Sequence, residues 1–218
     1  MVHDERRLLD EQVRYYQARA AEYDTTTTPA GDPFAPHGDA THAALRAFEP
    51  VGDVLELAAG TGQWTRILAE HATTVTAVDA SPEMLEINRA KVADPTIRYL
   101  VADLFSWKPP QDYDVVFFGF FLSHVPPGHF DAFWSLVARC LRPAGRAFFV
   151  DERDHGAWNE DWADRPAGVV HRTLVDGSQH RAVKVLWRPD DLASRLADLG
   201  WDASVTGAGP FYWGSASR

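Results

Sequence analysis

Lysine, methionine and cysteine are what this chain of 218 residues has least of: three lysines, two methionines and a single cysteine. With Cys140 alone, neither an internal disulfide nor a cysteine-built zinc site can form, and its place in an apolar helical pattern makes it a buried thiol. No metal site is expected. No apolar run reaches membrane length, and the opening MVHDERRLLDEQ is too charged for a secretory signal, so a cytoplasmic, membrane-free chain is expected. Positive charge is also short: 21 Lys+Arg stand against 31 Asp+Glu, a formal net charge of −10. Such a surface repels phosphate backbones, which disfavours a nucleic acid and leaves a small molecule as substrate. The length suits one α/β domain. Oligomeric state is left open by composition.

What is present centres on DVLELAAGTGQWTRILAE, Asp53 to Glu70. Val54, Leu55 and Leu57 read as a short buried parallel strand, and Trp64, Ile67 and Leu68 fall at helical spacing over Gln63 to Glu70. Between them, Gly60 and Gly62 allow positive φ and close approach of a ligand to the backbone. A second strand, Thr74 to Val78, ends in Asp79, placed to take both hydroxyls of a ribose. The third glycine of a dinucleotide fingerprint is missing from the run Glu56-x-Ala58-x-Gly60-Thr61-Gly62, which disfavours a dinucleotide oxidoreductase.

That run, with its acidic strand end, resembles motif I of the class I S-adenosylmethionine-dependent methyltransferases, Ala58 standing for the first glycine. The resemblance implies a Rossmann-like, seven-stranded, mostly parallel sheet with helices on both faces. It also implies S-adenosylmethionine as cofactor and S-adenosylhomocysteine as product. Residues 4–23 have the spacing of an amphipathic helix, and YYQARAAEYD within it resembles the leader of small-molecule methyltransferases, whose tyrosine and arginine reach the methionine carboxylate. Tyr16 and Arg19 are the matching residues here, with Tyr23 facing the acceptor. A guanidinium fork suits a carboxylate.

The stretch 25–37 reads as a loop, either a lid or a plain connector, before a short helix over 41–48. Ser81 caps a helix that starts at Pro82 and turns Met84 inward beside Ala80. A third strand, 96–101, precedes Asp103, which the resemblance sets beside the adenine amino group, Leu104 adding a backbone N–H. Asp103 as a simple turn former is the alternative. The apolar strand 115–119 ends at Gly119 and Phe120, at the edge where open α/β sheets bind ligands, and His124 follows. Two roles fit His124: a base for a hydroxyl or amine, or a group that orients an acceptor already anionic. A helix over 128–141, an RPAG turn and a strand over 146–151 complete this half.

Residues 157–167 show no clean period. Residues 168–187 read as two strands around Asp176-Gly177, followed by a helix over 189–199 and two closing strands, 201–206 and 211–215. Expected functional segments are therefore a cofactor-covering helix and lid (1–40), a cofactor-binding core (50–151), an acceptor-site insertion with the hairpin (152–188) and a closing helix and strands (189–218). If the hairpin turn has an odd number of residues, Arg172, His180 and Lys184 share one face; an even turn splits Arg172 from Lys184. The odd register makes an anion pocket, since a lysine inside an apolar strand is costly unless paired and the nearby sequence supplies no other partner. RTLVDG and VKV here, with YYQARAAEYD and FLSHVP, are similar to the phosphonate O-methylating members of the family that serve natural-product biosynthesis. The expected reaction is methyl transfer to an oxygen of a small anion, a phosphonate or carboxylate. A neutral phenol or amine with His124 as base, and a SAM-binding regulator without chemistry, are the alternatives.

Overall fold

The structure is a computed structural model that describes residues 2–27, 31, 33–154 and 160–218. Parts of the expected 25–37 loop (28–30 and 32) and of the aperiodic stretch (157–159) lie outside the described residues. Seven strands form one sheet: β1 (Gly52–Leu57), β2 (Ala72–Asp79), β3 (Ile97–Val101), β4 (Tyr113–Gly119), β5 (Leu141–Glu152), β9 (Asp202–Ala208) and β10 (Phe211–Ser217). Their order is β3-β2-β1-β4-β5-β10-β9, and β10 runs antiparallel to both of its neighbours. A separate antiparallel sheet holds β6 (Trp162–Asp164), β7 (Val169–Thr173) and β8 (Gln179–Val183).

The central strands are apolar throughout because both faces are covered. Successive side chains alternate across the sheet, so Leu55, Leu57, Phe118 and Phe149 pack with Trp134 and Val137 of α6 (Phe130–Cys140) and Leu192 and Leu196 of α7 (Pro189–Asp198). Their neighbours Val54, Phe117 and Phe148 pack on the other face with Leu45 of α3 (Ala35–Phe48), Ile67 and Leu68 of α4 (Thr65–Ala69) and Leu85 of α5 (Pro82–Val92). Burying each such large side chain stabilises the fold by about 1.5–3 kcal/mol. Cys140 is buried in the first of these cores, and burial pushes its thiol up to about 12. Ser81 caps α5 as its spacing suggests, its Oγ accepting from Met84 N at 3.2 Å.

The leader departs from a single helix. It runs as α1 (Val2–Arg19), tightens to a 3-10 turn at Ala20–Glu22 and continues as α2 (Tyr23–Thr27). Thr25 to Thr27, read as loop, are helical, and their hydroxyls bond back to the preceding turn: Thr26 Oγ1 donates to Glu22 O at 2.9 Å and Thr27 Oγ1 to Tyr23 O at 2.7 Å. Helix α3 also starts earlier than expected, at Ala35, because Pro36 fits a first helical turn. The RPAG turn is absorbed as an irregularity at the start of β5. No described helix is long and apolar enough to cross a membrane.

Candidate active site

The carboxyl ends of β1 to β4 open on a cavity roofed by Leu9, Gln12, Val13 and Tyr16 of α1. Its floor and walls are Ala58 and Gly60 after β1, Asp79, Ala80 and Met84 after β2, Asp103 and Leu104 after β3, and Gly119 and Phe120 at the end of β4. A Cβ added at Gly60 would meet nothing within 4 Å, so this turn leaves space at the cavity. Asp79 is aimed by two amides, Gly60 N at 2.8 Å and Ser81 N at 2.9 Å. Burial raises its pKa, against the pull of those N–H groups. Asp103 borders the cavity and also forms the turn, its Oδ1 accepting from Phe105 N at 3.0 Å. Ala58 and Phe120, both at φ 53, hold left-handed backbone at this edge. Each such residue stores about 1–3 kcal/mol of strain.

Two expected cofactor residues sit behind the cavity. Glu56 is buried and accepts from Thr65 Oγ1 at 2.6 Å, and Asn88 Nδ2 donates to the same hydroxyl at 2.8 Å. Burial lifts Glu56 to about 8, so the carboxyl is protonated at neutral pH. A Cβ on Gly62 would stand 2.6 Å from Asn88 Oδ1, so the second glycine serves packing against α5. Glu56 is tied to Thr65 of α4 and Gly62 lies against Asn88 of α5, and neither lines either cavity.

A second cavity of about 500 Å³ adjoins the first. Arg19, Thr41, His42, Gln63, Trp64, Glu152, Glu160, Arg172 and Lys184 are among its lining residues. Tyr16, Tyr23, Phe120 and His124 line both cavities and so mark where they meet. Arg19 lies 4.8 Å from the Tyr23 ring centroid and donates to Thr26 Oγ1 at 3.0 Å. Burial pushes Tyr23 up to about 12. His124 is buried, its Nδ1 2.7 Å from Val183 O and its Nε2 2.8 Å from the Tyr16 hydroxyl. Burial first, then the charges of Lys184, Arg172 and Arg19, holds its pKa well below the usual imidazole value.

The hairpin has the odd register: Arg172 pairs His180 and Val170 pairs Ala182, with 174–178 as the turn. Arg172, His180, Ala182 and Lys184 therefore share a face. The expectation that these cations lack protein partners is corrected. Lys184 Nζ is ion-paired to Glu152, and Arg172 grips Glu160 with both terminal nitrogens at 2.6 and 3.2 Å. Burial is the physical reason, since an ammonium only 5% exposed needs a counter-charge within the fold. His180 shares the face but not the cavity, its ring resting on Tyr15 with centroids 5.6 Å apart. Glu152, Glu160 and Gln12 escaped the sequence reading. Glu152 could have been found as the end of β5 on the ligand edge, and Gln12 as a polar residue on the apolar side of α1 between Leu9 and Tyr16.

A mostly parallel sheet with an acidic second strand end, a glycine turn and two joined cavities at its carboxyl edge defines a class I methyltransferase architecture. A methyltransferase-domain family model matches residues 54–145. The solved DhpI–SAH complex is 39% identical, with a TM-score of 0.85 over 97% of this chain and 97% of that chain. The DhpI–SAM–HEP complex is 42% identical, with a TM-score of 0.86 over 97% of this chain and 98% of that one. The trans-aconitate 2-methyltransferase of Shigella dysenteriae serotype 1 (strain Sd197) is 29% identical over 183 residues, 75% of this chain and 70% of the relative. The chain belongs to the class I S-adenosylmethionine-dependent methyltransferases, and S-adenosylmethionine is its cofactor.

Proposed function

We propose that the protein methylates an oxygen of a small anionic acceptor, a phosphonate or carboxylate, in natural-product metabolism. The observation that carries this reading is the meeting of the two cavities at Tyr16, Tyr23, Phe120 and His124, with Arg172 and Lys184 lining the second. In the first cavity Asp79 binds the ribose hydroxyls and Asp103 with Leu104 the adenine. Tyr16 and Arg19 reach the methionine end, over Ala58, Gly60, Ala80, Met84, Gly119 and Phe120. Bound there, the cofactor supplies an electrophilic sulfonium methyl group. The protein's part is to place the acceptor oxygen in line with it and to keep water out.

Glu152 and Glu160 hold the two cations in place without exhausting them. An ammonium has three donors and a guanidinium five, so Lys184 and Arg172 keep N–H groups for an acceptor oxyanion while the carboxylates fix their direction. Tyr23 borders the same space. The trans-aconitate 2-methyltransferase relative and the DhpI–SAM–HEP complex support a small acceptor. A SAM-binding regulator without chemistry has no use for an open second cavity. A phenol or amine acceptor needs a base, and the low pKa of His124, with its Nε2 already engaged by Tyr16, argues against that.

An acceptor panel with methyl-labelled cofactor tests the proposal. Phosphonates or carboxylates should be labelled, and Lys184→Met and Arg172→Met should each raise acceptor KM at least about tenfold while leaving cofactor affinity alone. Normal turnover of the true acceptor by both variants would remove the anion site.

A further inference from the structure

A third cavity lies apart from the site of methyl transfer, between the turn that follows β3 and helix α6. Its volume is about 640 Å³, within the range of about 300–1,000 Å³ in which small-molecule sites fall. Leu104 and Phe105 are shared with the cofactor cavity, but none of its lining residues borders the second cavity. Buried Phe133 and Leu136 of α6 and partly buried Trp107 of the turn give it apolar walls. Trp107 makes no ring pair with another aromatic residue among the described residues, so its indole is free to stack on a ligand. Lys108 follows it, biased to extended backbone by Pro109, and Arg139 lines the cavity from α6.

The two cations mark this cavity out. Of the three lysines, Lys91 pairs with Asp24 and Lys184 with Glu152, whereas Lys108 has no ion pair or side-chain hydrogen bond among the described residues. Arg139 has none either. Nearby carboxylates are engaged elsewhere: Asp103 accepts from Phe105 N, Asp131 is ion-paired to Arg195, and Glu5 lies 3.2 Å from His129 Nδ1. In a protein of formal charge −10, a cation from each of two elements flanking aromatic and aliphatic walls complements a ligand that is anionic at one end and apolar at the other. We propose that this cavity binds a small aromatic carboxylate, its ring against Trp107 and its carboxylate held by Lys108 and Arg139. A guanidinium takes a carboxylate through two N–H groups, and the ammonium adds a point charge beside it. The site shares nothing with the acceptor cavity and stands whatever the methyl acceptor is.

The test uses nitrogen-labelled full-length protein saturated with S-adenosylhomocysteine, which fills the first cavity. Of the eight tryptophan indole N–H resonances, the one lost in Trp107→Phe reports on this site. Titration with 2-naphthoate should shift that resonance saturably, and the uncharged 2-naphthalenemethanol should need at least about tenfold more to do the same. Lys108→Met combined with Arg139→Met should raise the naphthoate Kd at least about tenfold and bring the two probes level. Arg172→Met, in the acceptor cavity, should leave the naphthoate Kd unchanged. No shift at Trp107, equal affinity of the two probes for the native protein, unaltered binding in the double variant, or loss of the shift in Arg172→Met overturns the proposal. So does the same shift on raising the protein concentration alone, which would make the cavity a contact between two copies of the chain.

Discussion

In the parallel core, the acidic groups at the strand ends are held by backbone amides: Asp79 by Gly60 and Ser81, and Asp151 by Ser123 and Glu152. In the cap formed by α1 and the small sheet, the equivalent work falls to long side chains reaching across the chain. Glu11 binds Arg181, Gln12 binds Val183, Arg172 binds Glu160 and Lys184 binds Glu152. Amides in a sheet edge are fixed once the sheet forms, so the cofactor end is rigid by construction. The cap depends on rotamers drawn from four separate segments, and its opening need not disturb the core.

Breaking the core should cost most. Phe118, 0% exposed between Phe133, Trp134 and Phe149, should lose about 3–5 kcal/mol of stability on substitution by alanine, read from denaturant unfolding. A loss under about 1 kcal/mol would mean that the core repacks and is not the rigid partner in the comparison. Next, Asp79→Ala should weaken S-adenosylmethionine binding by roughly 1.5–3 kcal/mol through lost charge-assisted hydrogen bonds. Unchanged affinity by calorimetry would take Asp79 out of the site.

Gln12→Ala should act on the cap alone. Leaving Val183 N and His124 O without their partner should cost about 1–2 kcal/mol locally, seen as faster hydrogen exchange at Val183 with Val116 in β4 unaffected. Faster exchange at both would show that the two regions open together. A separate comparison is the pH dependence, where Glu56 and His124 differ in sign. Glu56 titrates near 8 in the fold against an ordinary 4.5, so the native state keeps a proton that the unfolded chain releases. Its contribution falls as pH rises between those values. His124 is held well below 6.5, so the unfolded chain takes a proton that the native state refuses, and stability falls as pH drops below about 6.5. Each slope is about 1 kcal/mol per pH unit within its window. Melts between about pH 5 and pH 8 should show Glu56→Gln gaining on the native protein toward high pH and His124→Asn gaining toward low pH. Differences independent of pH in both would refute the linkage.

The core was legible because its signals are local. Strand, glycine turn and helix lie within Asp53 to Glu70, and Asp79, Asp103 and Gly119 each follow an apolar run that ends on the same edge of the sheet. Two details stayed hidden even there. Glu56 and Gly62 look like ligand contacts in the motif, yet neither lines a cavity: Glu56 is bonded to Thr65 and Gly62 packs against Asn88. In the leader, Thr25 to Thr27, which read as loop, are helical, with hydroxyls bonded back to Glu22 and Tyr23 carbonyls.

By itself, then, the sequence determined the class of fold and the edge of the sheet where chemistry belongs, since periodicity and turn residues act over a few neighbours, and its resemblance to motif I implied the cofactor. It also narrowed the hairpin to two registers. Only the tertiary structure chose the odd one, gave Lys184 and Arg172 their carboxylate partners, and joined Tyr16 to His124 across a separation of 108 residues. The Tyr16–His124 contact depends on where α1 settles over the small sheet. Its position follows from pairings between distant buried groups, each requiring a partner that no local pattern specifies.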